Sequence, residues 1–139
     1  MEFTVRPVFE LAEMQIRQLH QLYQREWWTK GRTHEQTRRC IDGSQLCVGL
    51  LDSDDNLVAF ARVVTDFTFK ALIFDVIVAG GARGCGLGRR LMALIKNHEK
   101  LRDVQSFELY CLPALNGFYA RYGFSDDVGE VRLMRCVNM

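Results

Sequence analysis

One stretch of the sequence, Leu72 to Arg102, joins an apolar run to a helical pattern through a loop that is rich in glycine. The glycines of this stretch are Gly80, Gly81, Gly84, Gly86 and Gly88. Glycine lets a backbone approach a ligand closely, and the first N–H groups of a helix are free and partly positive. The loop therefore predicts a phosphate site, to which Arg83, Arg89 and Arg90 add positive charge.

The size and composition of the chain are those of one globular domain. Its 139 residues fit a single domain, 1–139, with 48% hydrophobic and 25% charged residues. The formal net charge of +1 gives no electrostatic basis for binding nucleic acid or an acidic membrane surface. The apolar runs are shorter than the ~20 residues of a membrane span, and residues 1–7 lack a signal-peptide core. We therefore expect a cytoplasmic protein without nucleic-acid or membrane partners.

The cysteines predict neither a zinc site nor a disulfide framework. The chain has five, scattered without a CxxC or CxxH pair: Cys40, Cys47, Cys85, Cys111 and Cys136. Reduced thiols and no bound metal are the expectation.

Periodicity and turn signals divide the chain into ten elements. The strands are predicted at Phe3–Arg6 (ended by Pro7), Leu46–Leu51, Leu57–Val64, Ala71–Val78, Ser106–Leu112 and Val131–Val137. The helices are predicted at Phe9–Tyr23, from Thr33 to about Cys40, at Leu87–Lys100, and from Pro113 to Gly123. Thr33 and Gln36 have the spacing of a capping box. The order β-α-α-β-β-β-α-β-α-β predicts an α/β protein of the α+β type, with a mixed, mostly antiparallel sheet flanked by helices.

The glycine spacing excludes two common phosphate loops. A P-loop has Lys-Ser/Thr after its last glycine, but Leu87 and Gly88 follow Gly86 here. A dinucleotide-binding loop reads G-x-G-x-x-G, but the glycines here follow G-x-G-x-G. The ligand is therefore predicted to be neither a nucleoside triphosphate nor a dinucleotide.

Two segments carry a resemblance to a known family. Arg83 to Gly88 reads RGCGLG and matches the R/Q-x-x-G-x-G/A motif of the GNAT acetyltransferase superfamily. Phe118 to Phe124 reads FYARYGF and resembles that family's F/L-Y-x-x-x-G-F segment. The order of elements is also similar to that family along nearly the whole chain. The resemblance implies one N-acetyltransferase domain that moves an acetyl group from acetyl-CoA to an amine.

The resemblance also implies which residues would hold the cofactor. The pyrophosphate would lie on the backbone of Arg83, Gly84, Cys85, Gly86, Leu87, Gly88 and Arg89. The pantetheine arm would pair with the free edge of Val76, Ile77 and Val78, because the family's strand splays from its neighbour there. Asn116 is either a further contact to the cofactor or an ordinary exposed polar residue. Two departures from the family pattern are Gly80-Gly81-Ala82, where a proline and a bulky residue are usual, and Leu112, where an asparagine is frequent.

The resemblance implies that an amine attacks the thioester directly. Tyr119 matches the family's general acid, which protonates the leaving thiol. Asp75 is the charged residue inside an apolar strand, so it is either the general base or a structural residue that is hydrogen-bonded to Arg62 or to a loop backbone. Glu108 and Tyr110 on the next strand are rival bases.

The acceptor is predicted to be a primary amine on a small molecule. Trp27 and Trp28 fall where the family builds its acceptor pocket, and at least one should be exposed. Arg32 could bind an acceptor carboxylate or be a plain surface charge. The alternative function is an acyl-CoA-binding or sensor module without turnover, and a homodimeric assembly is left open.

Overall fold

A computed structural model describes residues 4–138. The strands are β1 (Arg6–Val8), β2 (Leu46–Leu51), β3 (Leu57–Thr65), β4 (Lys70–Val78) and β5 (Ser106–Leu109). The helices are α1 (Glu13–Gln24), α2 (His34–Asp42), α3 (Leu87–Lys96) and α4 (Asn116–Ala120). Short 3₁₀ turns lie at Gly80–Ala82, Glu99–Leu101 and Pro113–Leu115.

The strands form one sheet in the order β1-β2-β3-β4-β5. The first four pair antiparallel, whereas β4 and β5 are parallel because α3 carries the chain between them. The predicted α+β class and mixed sheet are therefore confirmed. No helix within residues 4–138 is long and apolar enough to cross a membrane.

Helices cover both faces of the sheet. On one face α3 buries Leu91, Met92 and Ile95 against strand residues such as Val48 and Val63. On the other face α1 buries a second cluster, which includes Leu19, Tyr23, Phe60 and Ile77. The capping box predicted at the start of α2 is present: the Gln36 N–H donates to Thr33 Oγ1 at 3.0 Å, and the Thr33 N–H donates to Gln36 Oε1 at 2.9 Å.

A β-bulge at Asp75 changes the direction of the β4 side chains. Arg62 pairs with Phe74 and Phe60 pairs with Ile77, so Ala61 lies opposite two residues of β4. Asp75 has a φ of 57°, in the left-handed region. Ile73, before the bulge, packs in the core beneath α3, whereas Ile77, after it, packs beneath α1. The bulge thus exchanges the faces of the odd and even positions of β4: after it, Val76 and Val78 pack on the α3 side and Ile77 on the α1 side.

Several predicted boundaries need correction. Pro7 does not end the first strand but pairs with Leu50 within β1, which is tolerated because β1 lies at the edge of the sheet. Phe3, the predicted start of that strand, lies outside the described residues. α3 ends at Lys96 instead of Lys100. β5 ends at Leu109 instead of Leu112, because β4 and β5 lose their pairing beyond Ile73 and Leu109.

The predicted last strand, Val131–Val137, does not form in the single chain. Residues 131–138 are assigned to neither a strand nor a helix. Their apolar side chains are exposed, because no neighbouring strand pairs with them within residues 4–138. The sequence pattern of a strand is present, but its partner is not.

Candidate active site

The free edge of β4 is the first feature of the candidate site. β4 pairs with β5 from Lys70↔Ser106 to Ile73↔Leu109 and then continues alone to Val78. Residues 74–78 therefore have β3 on one side and, among residues 4–138, no strand on the other. Val76, Ile77 and Val78, predicted to pair with a cofactor, all lie in this part. An extended ligand with amide groups can add to such an edge as a further strand.

The glycine loop leads from this edge into α3 and leaves its backbone donors free. Gly84 and Gly86 have φ values of 79° and 76°, which favour glycine. Within the described residues, the backbone N–H groups of residues 84–89 donate to no backbone acceptor. A Cβ added at Gly84 or Gly86 would meet nothing within 4 Å, so the space beside the loop is open. These free donors at a helix start fit a pyrophosphate.

Gly88 has a different role, because it lets α4 pack on the start of α3. A Cβ at Gly88 would lie 3.1 Å from Cζ of Phe118. The Phe118 ring in turn contacts Tyr119 edge-on, with ring centroids 5.0 Å apart. Gly88 therefore helps to place Tyr119 beside the loop.

Tyr119 is the best-placed proton donor among the predicted site residues. Its side chain is only 7% exposed and packs in the core beneath α3, against which Val76 and Val78 also pack. Its hydroxyl makes no hydrogen bond to any residue within 4–138. Burial, with a smaller contribution from Cys111, raises the pKa of Tyr119 to about 12. The phenol is thus protonated at neutral pH, with its hydroxyl free to donate.

Arg83 connects the loop to its surroundings by two contacts. Its Nη2 donates to Glu26 Oε1 at 2.6 Å, and its Nε donates to the Val78 carbonyl at 3.4 Å. Glu26 lies just after α1 and Arg83 lies in the loop after β4, so this ion pair joins the two loops. An anion at the loop would compete with Glu26 for the guanidinium. Arg89 is exposed on the first turn of α3.

Asp75 lies at the centre of a buried polar cluster. Its carboxylate accepts hydrogen bonds from Tyr23 Oη at 2.9 Å, Arg62 Nε at 2.7 Å, and Arg32 Nη1 and Nη2 at 2.7 and 3.3 Å. Burial disfavours the charged form, but the hydrogen bonds from Arg32 and Arg62 outweigh it and hold the pKa of Asp75 below its usual value. Burial and the Asp75 charge raise the pKa of Tyr23. These contacts favour the structural role among the two that the sequence left open.

The loop between α1 and α2 brings the predicted acceptor residues to this cluster. Arg32 stacks on the Tyr23 ring, 4.5 Å from its centroid. Trp27 and Trp28 are 73% and 41% exposed, so both lie at the surface. The structure thus brings Arg32 against Asp75, while the tryptophans lie on the outer side of the same loop.

The remaining candidates lie at or beyond the end of β5. Glu108 forms an ion pair with Lys70 on the neighbouring strand. Tyr110 stacks edge-on against Phe74, with centroids 5.7 Å apart. Asn116 accepts from the Cys111 thiol at 3.4 Å and donates to Asp126 at 3.1 Å. Its side chain is therefore engaged within the protein.

Sequence reasoning missed two residues of the site. The sequence predicts Tyr23 only as the last residue of the first helix, and no motif includes Glu26. Tyr23 reaches Asp75 across 52 positions of sequence, and Glu26 reaches Arg83 across 57. No local pattern signals such contacts. Within residues 4–138, no group of three or more His, Cys, Asp or Glu side chains has the arrangement of a metal site.

Comparison with known proteins agrees with the geometry. The sequence profile of the acetyltransferase (GNAT) family matches residues 13–124. Serotonin N-acetyltransferase 2, chloroplastic, of Oryza sativa subsp. japonica is 36% identical over 107 residues, 74% of this chain and 53% of that protein. The uncharacterised N-acetyltransferase ycf52 of Gracilaria tenuistipitata var. liui is 31% identical over 110 residues, 77% of this chain and 60% of its own length. The chain thus spans between half and two thirds of these relatives.

Among solved structures, a protein of Xanthomonas campestris pv. campestris assigned to the GNAT family superposes with a TM-score of 0.87 at 32% identity. That match covers 99% of this chain and 96% of the other. Profile, relatives and superposition agree with the motifs around the free β4 edge. This chain belongs to the acetyltransferase (GNAT) family.

Proposed function

We propose that the protein transfers an acetyl group from acetyl-CoA to a primary amine of a small molecule. One observation gives the proposal its main support. The free edge of β4 leads directly into the unpaired N–H groups of residues 84–89, and Tyr119 packs beside both. An extended amide chain that ends in a pyrophosphate matches this sequence of donors and acceptors.

Binding of the cofactor would use backbone groups for the most part. The edge of Val76–Val78 would pair with the pantetheine amides, and the N–H groups from Gly84 to Arg89 would surround the pyrophosphate. Arg83 would add a positive charge once an anion displaces Glu26. Asn116 would require the loss of its contact with Asp126 to join this site, so its contribution is proposed as secondary.

Acetyl-CoA supplies an activated thioester, and the chain supplies the proton for its leaving thiol. The free hydroxyl of Tyr119 is in its protonated form at neutral pH, since its pKa is about 12. We assign it as the general acid. Backbone N–H groups at the bulge, on the free edge of β4, would stabilise negative charge on the carbonyl oxygen.

For Asp75 we propose an orienting role. A carboxylate whose pKa is lowered by two arginines is a weak base for an ammonium group. The cluster of Asp75, Arg32 and Arg62 has one negative and two positive charges, so it retains an excess of positive charge at the head of the free edge. This excess suits an acceptor that carries a carboxylate or phosphate in addition to its amine, with Arg32 as its contact. Trp27 and Trp28 would border the same acceptor site.

The proposal is tested by mixing the protein with acetyl-CoA and a panel of amines and following the release of free thiol. The panel contains matched pairs with and without an anionic group. Tyr119→Phe should lower kcat by about 10²-fold or more, the range of general acid catalysis, with little change in CoA affinity. Tyr122→Phe, which removes a hydroxyl from the next aromatic residue of the same segment, should keep full activity.

Two results would oppose the proposal. Absence of both thiol release and CoA binding would exclude acetyl transfer. Tight CoA binding without product for any amine would instead indicate the sensor function. A cytoplasmic location also remains a prediction, since the rice relative is named as chloroplastic. Imaging of the tagged full-length protein in its own cells would test it.

A further inference from the structure

The ion pair between Glu26 and Arg83 joins the acceptor loop, defined as residues 25–32, to the glycine loop. Arg83 Nη2 donates to Glu26 Oε1 at 2.6 Å. Glu26 is the more buried partner, since its side chain is 20% exposed and that of Arg83 is 61% exposed. Among residues 4–138, Arg83 is the only side chain that pairs with this carboxylate. The partly buried charge of Glu26 thus depends on a residue of the candidate cofactor site.

Arg83 also covers a hydrogen-bonding group on the free edge of β4. Its Nε donates to the Val78 carbonyl at 3.4 Å. The Ala79 N–H donates to the Val58 carbonyl of β3, and the backbone groups of successive strand residues point in opposite directions. The Val78 carbonyl therefore faces the free edge, where the pantetheine arm is proposed to pair. Cofactor binding would break both contacts of Arg83, because an amide takes the carbonyl and the pyrophosphate takes the guanidinium.

Glu26 would not follow Arg83, because internal hydrogen bonds hold the acceptor loop in place. The Glu26 carbonyl accepts from the N–H groups of Lys30 at 2.8 Å and Thr29 at 3.2 Å. Thr29 is 1% exposed, and its hydroxyl donates to the Tyr23 carbonyl at 2.8 Å. Loss of Arg83 would therefore leave a partly buried carboxylate without a counter-charge, which is unfavourable unless another cation takes its place.

The neighbours of Glu26 suit a cationic ligand. Trp27 and Trp28 follow it directly and are 73% and 41% exposed, so both are accessible. A carboxylate attracts an ammonium group by charge, and an indole face attracts it by a cation–π interaction. At the other end of the acceptor loop, Arg32 carries the opposite charge and pairs with Asp75. The loop thus offers contacts for an ammonium group at one end and for an anion at the other.

We propose that Glu26 binds the ammonium group of the acceptor, and that Arg83 masks this contact until the cofactor is bound. The proposal rests on acetyl transfer from acetyl-CoA as the function of the site. It assigns the positive charge of the acceptor to the end of the acceptor loop at Glu26. Cofactor binding separates the ion pair, so the acceptor no longer has to do so, and the two ligands should bind cooperatively.

The first test uses tetramethylammonium chloride, whose cation cannot be acetylated, and follows binding by tryptophan fluorescence. The chain has two tryptophans, and both lie in the acceptor loop, so the signal reports on this loop alone. Saturation of the full chain with CoA should tighten tetramethylammonium binding by about two- to fivefold, the range that one exposed ion pair allows. Saturating tetramethylammonium should tighten CoA binding by the same factor, because coupling is reciprocal. Neither measurement requires a variant.

Two variants separate the Glu26 contact from the general attraction between a cation and the phosphates of CoA. Glu26→Gln should abolish the coupling. Glu35→Gln is the matched control, which removes the same charge from an exposed position on α2 and should retain the coupling. In steady-state assays, Glu26→Gln should raise the KM of the amine by about tenfold or more with little change in kcat, although it raises CoA affinity. A purely structural role would not move the two affinities in opposite directions.

The outcomes distinguish this inference from the proposed function. If CoA binds without changing the affinity for tetramethylammonium, if Glu26→Gln retains the coupling, or if its amine KM is unchanged, the role of Glu26 is overturned while acetyl transfer stands. If the wild type neither binds CoA nor releases thiol with any amine, the proposed function fails and this inference fails with it.

Discussion

Replacing Asp75 by Asn removes the negative charge at the centre of the polar cluster and changes the size of the side chain little. Asn tolerates the left-handed conformation found at this position, so backbone strain should change little. The Asp75 side chain is 4% exposed, whereas those of Arg62 and Arg32 are 16% and 30% exposed. The substitution leaves two guanidinium groups without their counter-charge. It also replaces one carboxylate oxygen, which accepts hydrogen bonds, by an amide N–H₂, which can only donate them.

The expected loss of folding free energy follows from these burial values. Removing one partner of a buried ion pair costs about 3–5 kcal/mol. Because Arg32 retains partial access to water, we expect the lower end, about 3 kcal/mol. With an m-value of about 1–3 kcal/mol/M in urea, the denaturation midpoint should fall by about 1–3 M. This is a large part of the ~5–15 kcal/mol that stabilises a typical domain.

The chain offers a closely matched control in Asp55. Asp55 also has a positive φ, 64°, and also pairs with an arginine, at 2.7 Å from Arg6. Its side chain is 59% exposed, so Asp55→Asn should cost less than about 1 kcal/mol. If the two variants lose similar stability, burial is not what gives the Asp75 cluster its strength.

The second measurement is the pH dependence of the difference in unfolding free energy between the wild type and Asp75→Asn. The folded-state pKa of Asp75 lies below the unfolded value, so the unfolded state takes up its proton first as the pH falls. The stability from the carboxylate is therefore present above the unfolded pKa of Asp, about 4, and is lost progressively as the pH falls from there through the lower folded-state pKa. Urea denaturation should show a smaller difference in unfolding free energy between the wild type and Asp75→Asn at pH 3 than at pH 7. A constant gap, or a loss below about 1 kcal/mol at pH 7, would refute the reasoning.

Three further predictions concern the cofactor loop and a helix cap. Gly86→Ala should weaken CoA binding and lower the free energy of unfolding by about 1–2 kcal/mol, because a φ of 76° is strained for alanine. Gly81→Ala is the control and should leave the free energy of unfolding nearly unchanged. Chemical denaturation measures the stability of both variants, and calorimetric titration measures their CoA affinity. Glu26→Gln should raise CoA affinity by up to about fivefold, because it releases Arg83 from an ion pair that contributes about 0–1 kcal/mol. An unchanged affinity would mean that Arg83 does not contact the anion. Thr33→Ala should cost about 1 kcal/mol in urea denaturation through loss of its cap bond, and a loss near zero would contradict it.

Local sequence signals predicted the elements well where one physical cause dominated. β2 has the predicted bounds, Leu46–Leu51, since a fully buried strand has only apolar residues between polar turns. The Thr33 cap was predictable because capping depends on side chains three positions apart. The start of α3 at Leu87 followed from the glycine loop before it.

The contacts that define the site could not be predicted in this way. An aspartate in an apolar strand indicates a buried partner but does not name it, and Tyr23 and Arg32 reach Asp75 only through the tertiary fold. The bulge has no sequence signal apart from Asp75 itself. The segment 131–137 has the alternation of a strand, but strand formation depends on a partner, and no strand among residues 4–138 pairs with it.

The bulge at Asp75 links stability to the geometry of the site. A left-handed residue within a strand costs about 1–2 kcal/mol, and it persists only where surrounding contacts compensate. The hydrogen bonds from Tyr23, Arg32 and Arg62 provide this compensation, because they hold the carboxylate on the α1 side of the sheet. The residues after the bulge are thereby turned relative to those before it, and within residues 4–138 the pairing of β4 with β5 ends at Ile73, two residues before Asp75. The polar cluster thus lies where the free edge of β4 begins, so we expect a substitution that weakens the cluster to alter cofactor binding.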